Sequence, residues 1–179
     1  MEIAAERGLT PIPFDEQFVA AFKAHFPGIR RLVDRLSDDS EVADDLAQET
    51  FVRLYRRGSL PDSPPAWLAT VALNLFRSDR ASRARRLRLL TPAAGERAHS
   101  DQSPSPAQQA EFSDARGRIR AVMDRLSERN RNLLLLRAEG YSYRDIATAL
   151  QLHEASIGTL LARAKREFLI HYGEAPDAF

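Results

Sequence analysis

The sequence predicts an all-α protein of two small helical domains joined by a flexible linker, with a helix-turn-helix in the C-terminal domain. Apolar side chains recur at helical spacing in both domains, and no stretch alternates in the manner of a β-strand. The stretch between the domains is rich in Pro, Ala, Ser and Gln without apolar periodicity, which is typical of a flexible linker. The predicted bounds are a tail at 1–13, domains at 14–90 and 112–172, a linker at 91–111 and a tail at 173–179.

The helix-turn-helix is predicted within residues 126–168. This stretch has the pattern of a helix, a turn at Glu139 and Gly140, a short helix, a turn at residues 151–153 and a longer helix. The longer helix has an apolar stripe, and the opposite side forms an outward ridge of Ala155, Thr159, Ala162, Arg163 and Arg166. Small, hydroxyl and guanidinium groups suit the major groove of DNA, although an ordinary helical hairpin with a solvated basic face has the same periodicity.

Composition argues against several classes of protein. The 179 residues include no Cys, so we expect no disulfide, zinc-thiolate site or thiol switch, and the four His show no metal-binding spacing. No run of about 18 apolar residues predicts a membrane span. The N-terminus lacks the pattern of a signal peptide, so we expect a cytoplasmic protein without membrane insertion. Net charge is only +1, but opposite charges are separated along the chain.

The first predicted helix carries an aromatic stripe. Phe18, Phe22 and Phe26 recur every four residues between positions 14 and 36, which is typical of a buried face. Pro27 and Gly28 are expected to break or kink this helix, because Pro lacks a backbone donor.

The second predicted helix, at about 41–56, is acidic on its polar half. Residues 37–40 suit its N-cap, and residues 38–49 include six acidic and no basic side chains. An acidic first turn stabilises the helix dipole, so a solvated face is one interpretation. Val52 and Tyr55 on the same half favour the other, an acidic docking face for a basic partner.

A proline-rich loop and an Arg-rich helix follow. Residues 57–65 contain three Pro and one Gly, so this loop is either a stiff connector or a preformed binding surface. The helix predicted at 66–90 has six Arg and one Asp between residues 77 and 88, with Trp67 and Asn74 upstream. Arg suits phosphate contacts, and an aromatic ring with an amide suits single-stranded nucleic acid, although a solvated basic helix end is the alternative. The helix-turn-helix downstream favours nucleic acid.

Motifs of catalysis are absent from the sequence. There is no Gly-rich phosphate loop, no His-Glu-x-x-His and no Gly-x-Ser-x-Gly. We therefore expect no enzyme and no catalytic, cofactor-binding or metal-binding residues.

Three motifs stand in order: VADDLAQETFVRLYR at 42–56, PAWLATVALNLFRSDRASRARR at 65–86 and LSERNRNLLLLRAEGYSYRDIATAL at 126–150. With them the chain resembles an extracytoplasmic-function sigma factor, the small bacterial kind with regions 2 and 4 only. The resemblance implies promoter-specific transcription initiation with core RNA polymerase. Region 2 would bind the clamp coiled coil and melt and read the minus-10 element, and region 4 would bind the flap and the minus-35 duplex. It also implies an anti-sigma factor as partner and a monomer when free.

The resemblance assigns three sets of residues by position. The acidic docking face for RNA polymerase would be Asp44, Asp45, Gln48, Glu49 and Val52. The minus-10 set would be Ser59, Asp62, Ser63, Trp67, Thr70, Asn74 and Arg77, with phosphates held by Arg80, Arg83, Arg85 and Arg86. The minus-35 set would be the outward ridge and His153, in which Thr159, Ala162 and Arg163 face bases. One base of the minus-10 strand is expected to be flipped out.

One departure from the family concerns the last helix. Many members carry basic residues where this chain has Gly158 and Leu160. We therefore expect modest affinity for the duplex, with reliance on base contacts or on tethering by the polymerase.

Two other functions remain open from the sequence. A sigma-like mimic would bind an anti-sigma factor without binding DNA, but it would not need Trp67, Asn74 and the Arg cluster. A conventional helix-turn-helix regulator would leave the pattern of residues 38–88 without a role.

Overall fold

In a computed structural model, residues 13–90 and 108–174 are described, and they form seven α-helices and no β-strand. The predicted all-α class is confirmed. Most of both predicted tails and most of the predicted linker lie outside the described residues. Helix α7 extends to Glu174, two positions into the predicted C-terminal tail, and α4 begins within the linker's last positions. The helices are α1 (Phe14–Ser37), α2 (Ser40–Arg57), α3 (Pro64–Leu90), α4 (Gln108–Arg125), α5 (Glu128–Ala138), α6 (Tyr143–Leu150) and α7 (Glu154–Glu174).

Helix α1 continues through Pro27, so the predicted break at that position is wrong. Proline removes one backbone donor, and packing on both sides of it keeps the helix in place. The ring centroids of Phe22 and Phe26 lie 5.0 and 5.6 Å from that of Phe51 on α2. One turn later, Ile29 is fully buried against the same core.

Helices α1, α2 and α3 pack around one apolar core. The Asp39 carboxylate caps α2 by accepting hydrogen bonds from the backbone N–H groups of Glu41 and Val42, at 3.1 and 3.2 Å. Gly58 ends α2 in the left-handed conformation, with φ of 73°, and so turns the chain into the loop before α3. These two ends fix where α2 presents its polar half.

The predicted helix-turn-helix is confirmed in α6 and α7. The Ser142 hydroxyl caps α6 by accepting from the backbone N–H of Asp145 at 3.1 Å. Gln151, with φ of 56°, closes α6, and the Leu152 N–H then donates to the Ala147 carbonyl at 2.8 Å. Buried Ile157 anchors α7 against the core.

A second apolar core joins the N-terminal and C-terminal helices. Leu32 of α1 and Leu73 of α3 pack in the same buried cluster as Leu133, Ile146 and Ile157. The most extensive packing between the two halves is that of α3 against α6. The predicted domain bounds remain a prediction, but the two halves share buried side chains.

Among the described residues, no helix is long and apolar enough to cross a membrane.

Candidate nucleic-acid and polymerase interfaces

The acidic docking face lies along one side of α2. Asp45 and Gln48 are exposed, and Val52 keeps 40% of its surface exposed. Asp44 and Glu49 are half-buried, and each pairs with an arginine, Arg30 of α1 and Arg53 of α2 respectively. Tyr55, which keeps 54% of its surface exposed, extends the face. The face therefore combines carboxylates with apolar surface.

The loop before α3 is tied to the C-terminal half at one residue. Ser59 and Asp62 are exposed, whereas Ser63 is half-buried. The Ser63 hydroxyl donates a hydrogen bond to Oδ1 of Asp145, on α6, at 2.7 Å. One residue of the predicted minus-10 set is thus engaged by the C-terminal half of the chain.

The first turns of α3 hold Trp67 and Thr70 partly inside the protein. The Trp67 ring packs against the core of α1–α3, and the guanidinium of Arg57 lies 5.9 Å from its centroid. The Thr70 hydroxyl donates to the Ala66 carbonyl at 2.8 Å, which directs its proton to the helix backbone.

Asn74 and Arg77 meet on the exposed side of α3. Nη1 of Arg77 donates to Oδ1 of Asn74 at 3.1 Å. Nε and Nη2 of the same guanidinium donate to one oxygen of Glu128, at the start of α5, at 2.9 and 2.8 Å. A carboxylate of the C-terminal half therefore forms an ion pair with an arginine that the resemblance assigns to DNA.

The remaining arginines of the minus-10 set lie at the exposed end of α3. Arg83 pairs with Asp79 at 2.8 Å and lies 3.8 Å from Asp39. The other exposed members are Arg80, Arg85 and Arg86.

The outward ridge of α7 is exposed over its whole length. Its exposed residues are Ala155, Thr159, Ala162, Arg163 and Arg166, and His153 before them is also exposed. The apolar stripe faces inward, with Ile157 and Ala164 fully buried. The Ser156 hydroxyl donates to the His153 carbonyl at 2.7 Å and so fixes the entry into α7.

A charged contact between the halves was not predicted from the sequence. Glu139, in the turn after α5, accepts from Arg31 at 3.0 Å and pairs with Arg35 at 2.7 Å, and its side chain is only 2% exposed. Arg120 of α4 also pairs with Asp38. Arg31 and Glu139 are separated by 108 positions. Because helical periodicity reports only local neighbours, no sequence pattern could have joined them.

Burial at this junction shifts three pKa values. Burial acts to raise the pKa of Asp145, but hydrogen bonds from Ser142 and Ser63 outweigh it, so the net shift is downward. Burial, then the charges of Glu139 and Asp145, raises the pKa of Tyr141. Burial lowers the pKa of His25. Asp145 is therefore a carboxylate that accepts hydrogen bonds at neutral pH.

An open cleft of about 310 Å³ lies beside this junction, with His25, Arg31, Glu139, Tyr141 and Asp145 in its lining. Within residues 13–90 and 108–174, no group of three or more His, Cys, Asp or Glu side chains is placed to hold a metal ion.

Comparison with family models gives two matches. The model of sigma-70 region 2 matches residues 21–86, and that of sigma-70 region 4 matches residues 116–168.

Several curated relatives are also similar. EcfG, an ECF RNA polymerase sigma factor of Rhodopseudomonas palustris, is 34% identical over 151 residues, which cover 80% of this chain and 76% of the relative. The RNA polymerase sigma-H factor of Pseudomonas aeruginosa is 30% identical over 144 residues, which cover 75% of each chain. The ECF sigma factor SigE of Mycolicibacterium smegmatis is 31% identical over 148 residues, which cover 80% of this chain and only 56% of the relative.

Solved structures share the fold. The sigma factor RpoE of Bartonella quintana, in complex with the anti-sigma factor NepR, matches with a TM-score of 0.65 at 22% identity, over 90% of this chain and 99% of that one. CnrH in complex with the cytosolic domain of CnrY matches with a TM-score of 0.64 at 20% identity, over 90% and 91%. Together, the matched regions and the relatives covered over most of their length show that this chain belongs to the family of extracytoplasmic-function RNA polymerase sigma factors.

Proposed function

We propose that this chain is a promoter-specificity subunit that binds core RNA polymerase and directs initiation at a two-part promoter. It would act in the cytoplasm and have no catalytic site of its own. The acidic docking face, in which Asp45, Gln48 and Val52 are exposed, is the observation that carries this proposal. A regulator that used only the helix-turn-helix would not need such a face beside an Arg-rich helix.

The acidic docking face suits a basic, partly apolar partner such as the clamp coiled coil of the polymerase. Carboxylates steer association with a basic surface, and buried apolar contacts supply affinity. In this proposal Asp45 and Gln48 form the polar contacts, and Val52 and Tyr55 pack against the partner.

Helix α3 and the loop before it would hold the minus-10 strand. Ser63 and Arg77 are engaged by Asp145 and Glu128, so reading the strand requires these carboxylates to be exchanged for DNA. The charge of Glu128 has the sign of a phosphate, which makes the exchange electrostatically feasible. We propose that the halves separate at α3 and α6 during initiation.

An anti-sigma factor is the proposed inhibitory partner. A protein that held the two halves together would keep Asp145 on Ser63 and Glu128 on Arg77. The complex of the sigma factor RpoE with the anti-sigma factor NepR supports this idea by fold, since that sigma factor matches over 90% of this chain.

The outward ridge of α7 would read the minus-35 duplex, with Thr159, Ala162 and Arg163 facing bases. The flap of the polymerase is the proposed second contact of this half.

Run-off transcription with purified core polymerase and a library of promoter fragments tests the proposal. We expect transcripts whose templates share two upstream elements. Binding to core without any transcript would favour the mimic, and no binding to core would refute the proposal.

A pair of charge reversals sharpens this test. We expect Asp45→Arg to abolish binding to core, because it reverses charge in the acidic docking face. Glu16→Arg, at an exposed acidic position of α1, is the matched control and should leave binding unchanged. Equal loss in both variants would assign the effect to net charge.

A further inference from the structure

The N-terminal half of α7 has no cation of its own. From Glu154 to Ala162 the only charged side chain is that of Glu154 itself, and the basic residues Arg163, Lys165 and Arg166 follow directly after this stretch. A DNA strand beside the first two turns of α7 would therefore meet no positive charge from this helix. Because duplex affinity depends on neutralised phosphates, cations from other helices would have to supply it.

Two side chains from α5 and α6 come together beside this half of α7. A Cβ built at Gly158 would lie 3.6 Å from Cε2 of Tyr143, so the Tyr143 ring covers this flank of α7. The guanidinium of Arg137 lies over the ring, 5.5 Å from its centroid. Nη1 of Arg137 also donates to the Tyr141 carbonyl at 3.3 Å. The ring and the carbonyl together fix the guanidinium.

The position of this pair fits a DNA backbone. Gly158 and Lys165 are seven positions apart on the same flank of α7, which is two turns or about 10 Å along the axis. The flank borders the outward ridge, because Gly158 is one turn from Ala155 and from Ala162. Arg137 and Lys165 thus mark two cationic positions along one edge of the surface proposed to read DNA.

The pair is available to solvent. Arg137 is exposed, and Tyr143 keeps 43% of its surface exposed. A guanidinium stacked on a ring keeps its free N–H donors in one plane, which suits a phosphate. Since the ring restricts the side chain before binding, less conformational entropy is lost on contact.

We propose that Arg137 contacts a backbone phosphate of the minus-35 duplex and that Tyr143 is the residue that positions it. The inference rests on the proposed function, because it takes α7 as the helix that enters the major groove. In that geometry the first helix of the motif, α6, crosses the backbone.

The test is binding of the full chain to the minus-35 duplex recovered from the run-off experiment, measured over a series of salt concentrations. We expect Arg137→Gln to weaken binding about tenfold at low salt, equally on all duplex sequences. The slope of log affinity against log salt should fall by about 0.9, the value for one lost phosphate contact. Tyr143→Leu should show a smaller loss with part of the change in slope, and Tyr143→Phe should bind like the unchanged chain.

Two controls separate this inference from the proposed function. Arg129→Gln removes another exposed cation of α5, about 12 Å along the helix from Arg137, and should leave the slope unchanged. Arg163→Ala should weaken one sequence more than others. If Arg137→Gln and Arg129→Gln behaved alike while Arg163→Ala kept its sequence-specific loss, the phosphate contact would be overturned and the proposed function would stand. If the unchanged chain showed no sequence preference for any duplex, either alone or bound to core polymerase, both would be overturned.

Discussion

The two surfaces proposed to read DNA differ in how the free protein holds them. On α3 and the loop before it, Ser63 and Arg77 are bound by Asp145 and Glu128 of the C-terminal half. The outward ridge of α7 is exposed along its length. In the proposed function, the surface on α3 must be released from these carboxylates before it binds DNA, whereas the outward ridge is already exposed. The proposed function therefore implies that contact with the minus-35 element precedes contact with the minus-10 strand.

Apolar packing and ion pairs hold the covered surface in different ways. Leu73 is 4% exposed and belongs to the core that both halves share, so separating the halves exposes it to water. Arg77 and Glu128 are more than half exposed, and such pairs contribute only about 0–1 kcal/mol. We therefore expect the shared core to supply most of the free energy that holds the two halves together. The carboxylates should determine how the halves are aligned with each other.

The largest expected effect comes from Leu73→Ala. Truncating a buried Leu typically lowers the free energy of unfolding by about 2–5 kcal/mol, and here part of that loss also favours separation of the halves. Since the chain has no Cys, two introduced Cys residues can carry dyes, for example at the exposed positions Ala20 and Ala121. Energy transfer between them should fall in this variant, and thermal unfolding should give the stability.

Leu68→Ala is the matched control for Leu73→Ala. Leu68 is fully buried in the core of α1–α3 alone, so its truncation should lower stability without changing the distance between the halves. Equal changes in energy transfer for the two variants would contradict the idea of a separable junction.

The next effect is that of Glu139→Arg. A third cation beside Arg31 and Arg35 would repel both, where the unchanged carboxylate pairs with them at 3.0 and 2.7 Å. We expect energy transfer to fall and affinity for the minus-10 single strand to rise about fivefold or more, a typical size for coupling between sites. Fluorescence anisotropy with a labelled strand measures the second quantity.

Exchanging the signs of all three charges tests whether charge repulsion causes the effect of Glu139→Arg. The variant with Glu139→Arg, Arg31→Glu and Arg35→Glu keeps the three positions and exchanges their signs, so closure and weak strand binding should return. A triple variant that stayed open would assign the effect of Glu139→Arg to size, because Arg is longer than Glu.

Local elements of this fold were predictable from the sequence, and the junction was not. The turn at Gly140 and the outward ridge follow from spacing, since each depends on neighbours within a few positions. The continuity of α1 through Pro27 was missed because tertiary packing overrode a local rule. The Glu139 contact was missed because it joins residues 108 positions apart, a distance that no helical period reports.

The site residues divide in the same way. Exposure of the outward ridge follows from helical geometry. The ion pair of Arg77 with Glu128 depends on how the two halves of the chain pack, and the resemblance gave Arg77 a role toward DNA only.

A smaller effect is expected from Glu128→Gln. It removes the carboxylate from Arg77 but leaves the shared core intact, so the halves should stay together. Because the pair is exposed, we expect affinity for the minus-10 strand to rise about twofold to fivefold, which corresponds to a pair worth about 0.4–1 kcal/mol. Arg77→Ala in the same assay should weaken binding, and a gain there would contradict the role of Arg77 in holding the strand.

The smallest effect concerns pH and Asp145. Its folded-state pKa lies below the ordinary value of 3.8, so the carboxylate form favours folding. That contribution is fully present above 3.8 and is lost as pH falls through the folded pKa. We expect Asp145→Asn to reduce the fall of stability with decreasing pH below pH 4. Above pH 5 the dependence of stability on pH should be unchanged, and thermal unfolding across pH measures both. A variant as acid-sensitive as the unchanged chain would mean that the Asp145 carboxylate makes no contribution to this loss of stability.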